Sequence, residues 1–146
     1  MAGASLLEVL ISVLILGVGM LGIAAMQATA LRNSHSSLEQ SQAVIQTYAI
    51  LDAMRADRDV ALGGGYDLAL TCDVPAAGGG LASAELRRWV QELKAGLGES
   101  ACGGVACDAN GCAVSVQWDD SRASEAGEGA VVAGATERQT ITRTRI

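Results

Sequence analysis

Residues 9–31 form a run of twenty-three side chains without one formal charge, and Gln27 is the strongest polar group among them. Glu8, at the edge of that run, is the only charged side chain in the first thirty-one residues. A bilayer core about 30 Å thick is crossed by roughly 20 apolar residues of helix, so the run is long enough to span. A secretory signal peptide has an apolar region of about 7–15 residues, behind a basic start and ahead of a small-residue cleavage site. This run is longer, and no Lys or Arg precedes it. The reading is a retained, single membrane helix.

Gly17, Gly19 and Gly22 within the run match the GxGxxG pattern of dinucleotide-binding loops. That pattern needs a strand before it, a helix after it, and a second apolar strand ending in an acid about 20 residues on. The residues that follow, Arg32-Asn-Ser-His-Ser-Ser-Leu-Glu39, are too polar for a buried parallel strand. The glycines therefore read as small residues in a membrane helix, where they allow close packing. Composition narrows the field further. A net charge of −6 and four aromatics (Trp89, Trp118, Tyr48, Tyr66) leave no basic, stacking-rich surface for nucleic acid. Glu8 is costly beside so much apolar surface unless paired or protonated, which marks it as a functional candidate.

The segment Gly3-Ala4-Ser5-Leu6-Leu7-Glu8-Val9-Leu10-Ile11 resembles the type III signal of type IV pilins and the related pseudopilins. The resemblance implies that a prepilin peptidase cuts between Gly3 and Ala4 and methylates the new amine. Residues 1–3 would be the leader, Ala4 the first mature residue and Glu8 the fifth. It also implies that Ala4 and Glu8 register subunits, the ammonium of one chain neutralising the carboxylate of its neighbour inside a helical bundle. The run from Glu8 to Gln27 is similar to one branch, the PilV minor pilins or type IV pilus modification proteins. Landmarks follow in the same order: Ser41-Gln-Ala43, Met54-Arg55, Tyr66, Trp89 with Leu93 and Leu97, and Val114-Ser-Val116-Gln-Trp118.

From that branch follow an inner-membrane anchor with a periplasmic head, later carried into a pilus, and partners among the minor pilins and the major pilin. A role in starting or tipping a type IV pilus, and through it in motility and adhesion, is likewise implied. The leader lacks the Lys or Arg that a cytoplasmic flank normally carries, so either a start further upstream, the favoured reading, or other topology signals are expected. The helix-kinking proline of major pilins is absent, the sole proline being Pro75.

Residues 32–146 are expected to form the head. Residues 32–60 read as a continuation of the helix, with Leu31, Leu38, Ile45 and Leu51 or Met54 as its apolar stripe. That stripe is expected to bury on its own domain, with a coiled-coil contact to another subunit as the alternative. Gly63-Gly-Gly65 ends the pattern, and a variable stretch, 66–80, follows. A short helix is expected over 83–97, capped by Ser83, with Leu86, Trp89, Val90, Leu93 and Leu97 on one face.

Period-two alternation then places Val114, Val116 and Trp118 on one face of a strand. An acidic loop is expected over 119–129, with strands over 130–133 and 139–146. Arg138, Arg143 and Arg145 make that end basic, either as a charged guard on a sheet edge or as a contact for an acidic neighbouring subunit.

Cys72, Cys102, Cys107 and Cys112 are an even set in a head read as facing an oxidising compartment, so disulfides are expected. Of the three pairings, Cys107–Cys112 with Cys72–Cys102 is preferred, because Asp108-Ala-Asn-Gly111 is turn-prone. A thiolate zinc site is the rival, but C-x4-C-x4-C lacks the close C-x2-C knuckles. His35 stands alone and reads as a solvated helix residue. With no nucleophile–base pair, metal signature, cofactor site or phosphate cradle in the sequence, the chain reads as a non-enzymatic structural protein. Its expected fold class is α+β: a long N-terminal helix continuing into a small head with an antiparallel sheet of three or four strands. A pseudopilin of a type II secretion system and a single-span anchored periplasmic binding module are the alternatives.

Overall fold

The computed structural model of the chain describes residues 5–108, 110–121 and 137–146. One helix, α1, runs from Leu6–Ala56, and its 51 residues extend about 77 Å at 1.5 Å each. Ser5 caps its start, accepting a hydrogen bond from the Leu7 amide at 3.3 Å. Nothing in the segment interrupts it, since proline is absent and Gly17, Gly19 and Gly22 stay within the helix. The three glycines therefore form no strand-to-helix loop, and the dinucleotide reading has no structural footing. The helix stops sooner than residue 60: Asp57 leaves helical geometry at φ −124° and ψ 51°, and a separate turn, α2 at Arg58–Leu62, follows.

The upper part of α1 seats the head through Ala43, Thr47, Ile50, Leu51 and Met54, all buried and spaced three or four residues apart. This corrects part of the expected stripe. Leu51 and Met54 are buried, but Leu31, Leu38 and Ile45 are 67%, 59% and 56% exposed. Position 45 lies about 200° around the helix from position 43, so Leu31, Leu38 and Ile45 face outward, and the seat is built from the small Ala43 and Thr47 below and from Ile50, Leu51 and Met54 above.

The head is a four-stranded antiparallel sheet in the order β1-β2-β3-β4, made of Leu68–Thr71, Cys102–Asp108, Gly111–Asp119 and Glu137–Thr144. A second helix, α3 at Leu81–Leu97, lies beside α1, and the two cover one face of the sheet. All five expected apolar residues of α3 are buried. Ser83, however, does not cap it: the N-cap is Gly80, and the Ser83 hydroxyl donates to the Gly80 carbonyl at 2.8 Å. The helix packs on β2 at Gly103, where a Cβ would sit 2.7 Å from the Trp89 ring and 2.8 Å from Leu93.

On β3 the alternation is strict, with Cys112, Val114, Val116 and Trp118 buried and their neighbours half-exposed. β1 falls inside the stretch expected to be variable. β4 starts two residues before the expected strand and stops two short of its end. The strand expected over 130–133, and the acidic loop beyond Ser121, lie outside the described residues.

Candidate functional site

The features that bear on function are arranged along α1 by height. Ala4 and Gly3 lie outside the described residues. Glu8 occupies the first turn of the helix, where a carboxylate is favoured by the exposed amides of the N-terminus. Its side chain is exposed, as is every residue from Ser5 to His35. The helix is long and apolar enough to cross a membrane. His35 stands in the open just above the span, as expected of a solvated position.

The head grips α1 from just above the span upward. At the lowest hydrogen bond between them among the described residues, five residues past the apolar run, Ser36 Oγ donates to Asp120 Oδ2 at 2.9 Å. Arg138 Nε reaches the same oxygen at 2.6 Å. Asp120 is only 2% exposed, so this carboxylate at the end of β3 ties sheet and helix together inside the protein. Charge-assisted hydrogen bonds of this kind are the stronger class. Sequence reasoning missed it; the available signal was the Asp119-Asp120 pair at a strand end followed, one strand later, by Arg138.

Midway, Trp89 Nε1 donates to the Gln46 carbonyl of α1 at 2.9 Å. At the top, Cys107 Sγ lies 3.8 Å from Met54 Sδ. These three heights run from position 36 to position 54, about 27 Å along the axis.

Both disulfides join neighbouring strands. Cys107 and Cys112 are direct register partners across the β2–β3 hairpin, with Cα atoms 4.1 Å apart. Cys72, one residue past β1, bonds Cys102 at the start of β2, with Cα atoms 4.0 Å apart. This is the pairing that the turn chemistry favoured, and it uses all four cysteines, so none remains as a thiolate for zinc. Tyr66, after α2 in the chain, is fully buried in the core of the head. Burial pushes its phenol pKa up, and the nearby Asp57 and Glu85 carboxylates push it in the same direction.

Of the three arginines at the chain's basic end, Arg138 is engaged with Asp120 while Arg143 and Arg145 are exposed. Among the described residues β4 forms one edge of the sheet, where charge guards against further pairing. The geometry thus offers a helix long and apolar enough to cross a membrane with one acidic group at its start, exposed aliphatics at Leu38 and Ile45 above the apolar run, and a disulfide-bonded head. No family model, no curated protein and no solved structure matches this chain.

Proposed function

We propose that the chain is a minor pilin, a membrane-anchored structural subunit that joins a helical filament rather than catalysing a reaction. One observation carries the reading: a single unbroken helix, Leu6–Ala56, whose first part is wholly exposed and whose last part is the seat of a small α+β head. An isolated apolar helix of that length needs a bilayer or other helices around it. The outward face supports the second partner as well as the first. Leu31, Leu38 and Ile45 recur every seven residues from the last residue of the apolar run upward, the spacing by which helices pack side by side.

In this role a prepilin peptidase cuts between Gly3 and Ala4 and the freed amine of Ala4 is methylated. Glu8 then meets the ammonium of a neighbouring subunit in the bundle, where low dielectric makes a lone carboxylate costly and a paired one directional. The head projects into the periplasm, its disulfides formed there, and selects partners among other minor pilins and the major pilin. Its place is at the start or tip of a type IV pilus, supporting surface attachment and motility.

The test is the intact mass of the chain extracted from membranes of a host with a working prepilin peptidase. A species beginning at Ala4 with one added methyl is expected. An uncleaved chain beside a processed control pilin removes the reading and leaves an anchored periplasmic binding module. Deletion then separates the two filament systems, since loss of surface pili marks a pilus subunit and loss of exoprotein release marks a type II pseudopilin.

A further inference from the structure

The two disulfides of the head differ in how open their cysteines are to solvent. Cys72 is an exposed residue, whereas its partner Cys102 is only 5% exposed. In the other bridge Cys112 is 2% exposed. Half-buried Cys107 rests its Sγ 3.8 Å from the Sδ of fully buried Met54. A thiolate breaks a disulfide by attacking one of its sulfurs, so access decides which bond is taken and from which end. Of the four cysteines, Cys72 is the one exposed residue.

The place of Cys72 in the fold gives that access a consequence. It directly follows β1, which among the described residues is an edge strand paired only with β2. The register of that pairing is interrupted between Leu68 and Thr71, and Ala69 and Leu70 are exposed. So short an edge owes much of its hold to the covalent bond from Cys72 to Cys102 on β2. The buried end is also prepared for opening. Cys102 Sγ lies 3.2 Å from the Ser100 carbonyl oxygen, an acceptor in place for an S–H once the bond is broken.

We propose that Cys72 is a thiol-exchange site, at which a small thiol or the dithiol of a partner protein opens the Cys72–Cys102 bond while Cys107–Cys112 stays closed. The attacking thiolate bonds to Cys72 Sγ, and the electron pair of the S–S bond leaves on Cys102 Sγ. That sulfur takes a proton from water, and its S–H donates to the Ser100 carbonyl. With a dithiol, the second thiolate then attacks its own partner sulfur in the mixed disulfide and releases Cys72. The dithiol ends as a disulfide, and the head has gained two electrons and two protons. The reverse sequence recloses the bond. Opening frees the β1 edge and leaves the β2–β3 hairpin stapled by Cys107–Cys112. Exchange at Cys72 involves the head alone and is independent of filament membership.

The oxidised full chain in detergent is mixed with 2-mercaptoethanol, quenched at short times with an alkylating reagent, and mapped by peptide mass spectrometry. The mixed disulfide is expected on Cys72, with Cys102 as the free thiol. Initial opening of Cys72–Cys102 is expected to be at least about tenfold faster than that of Cys107–Cys112, which first needs local opening of the core. Adducts carried mainly by Cys102, Cys107 or Cys112 overturn the proposal. Equal opening rates overturn it too, because they mean that thiols enter only after the head unfolds. Hydrogen exchange of the opened chain reports the edge: amides of residues 68–71 lose protection while those of 112–118 keep theirs. Unchanged protection over 68–71 overturns the release of β1.

Discussion

Helix α3 packs tightly on the sheet at Gly103, and a single methyl there tests the packing of the head. A Cβ at position 103 would lie 2.7 Å from Trp89 Cζ3, 2.8 Å from Trp89 Cη2 and 2.8 Å from Leu93 Cδ1. Carbon contacts settle at about 3.5–4.0 Å, so more than half an ångström must be found. Neither neighbour gives easily. Leu93 is fully buried, and the indole is held by its hydrogen bond to the Gln46 carbonyl.

Overpacking of this size costs about 1–3 kcal/mol, and turning the ring weakens a hydrogen bond worth about 0.5–1.5 kcal/mol. Loss of unfolded-state freedom on replacing glycine returns about 0.4–1 kcal/mol. Gly103→Ala is therefore expected to destabilise the head by about 2 kcal/mol, lowering its melting temperature by about 8–16 °C. The assay is thermal unfolding of the detergent-solubilised chain followed by circular dichroism, with disulfides intact.

Gly79→Ala, where nothing stands within 4 Å of the new Cβ, is the control and stays within about 0.5 kcal/mol. Trp89→Phe removes the benzo-ring atoms that collide, so the double variant is expected to lose at least about 1 kcal/mol less than the sum of the singles. Strict additivity, or a Gly103→Ala chain as stable as the original, would refute the packing argument.

Three further outcomes are expected. By chain entropy, replacing Cys72 and Cys102 with serine costs about 3.5 kcal/mol and replacing Cys107 and Cys112 about 2 kcal/mol, because the closed loops span 30 and 5 residues; urea midpoints in the reverse order would contradict this. The Tyr66 hydroxyl is buried with no hydrogen-bond partner among the described residues, so Tyr66→Phe leaves stability unchanged or raises it by about 1 kcal/mol. Burial, Asp57 and Glu85 raise the native phenol pKa, so stability from the neutral ring is full below pH ~10 and lost as pH climbs through the raised value. Urea titrations should show a shallower alkaline decline for Tyr66→Phe. Finally, Glu8→Gln removes charge without changing size; cleavage and methylation should be unaltered, while recovery in sheared filaments falls about tenfold if the pair contributes 1.4 kcal/mol.

Much of this architecture was legible because periodicity and turn chemistry are local. The stripe Leu86, Trp89, Val90, Leu93, Leu97 repeats at helical spacing, and Val114, Val116, Trp118 at strand spacing, so burial followed directly. Asn110-Gly111 announced the hairpin that brings Cys107 to Cys112. What escaped was set by partners distant in sequence. Four residues of β1 show no periodicity of their own and become a strand only through pairing with β2. Helical spacing puts Leu31, Leu38, Ile45 and Leu51 or Met54 on one stripe, of which only the last two are buried. Here a close approach of sheet to helix calls instead for Ser36, Ala43 and Thr47 at the lower end, and only above them for Ile50, Leu51 and Met54. Likewise Ser83 has a capping residue's chemistry, yet the helix begins two residues before it, at Leu81.

That misassigned stripe clarifies how one helix serves two neighbours. Contacts at Ser36, Gln46 and Met54 hold the head along about 27 Å of α1. A head fastened at three heights cannot rock about a single hinge, so force on the sheet passes into the helix along its length. All three contacts lie toward the side of α1 that seats the head, leaving Leu31, Leu38 and Ile45 clear on the other side. Had the large aliphatics faced inward, they would have held the sheet further from the helix and left polar Ser36 and Thr47 outermost. The helix above the span would then have offered little apolar surface to a neighbour. Small residues inward and large ones outward at the lower end give the opposite result: the head sits close at Ala43 and Thr47, and among the described residues Leu31, Leu38 and Ile45 stay exposed on the far side of the helix.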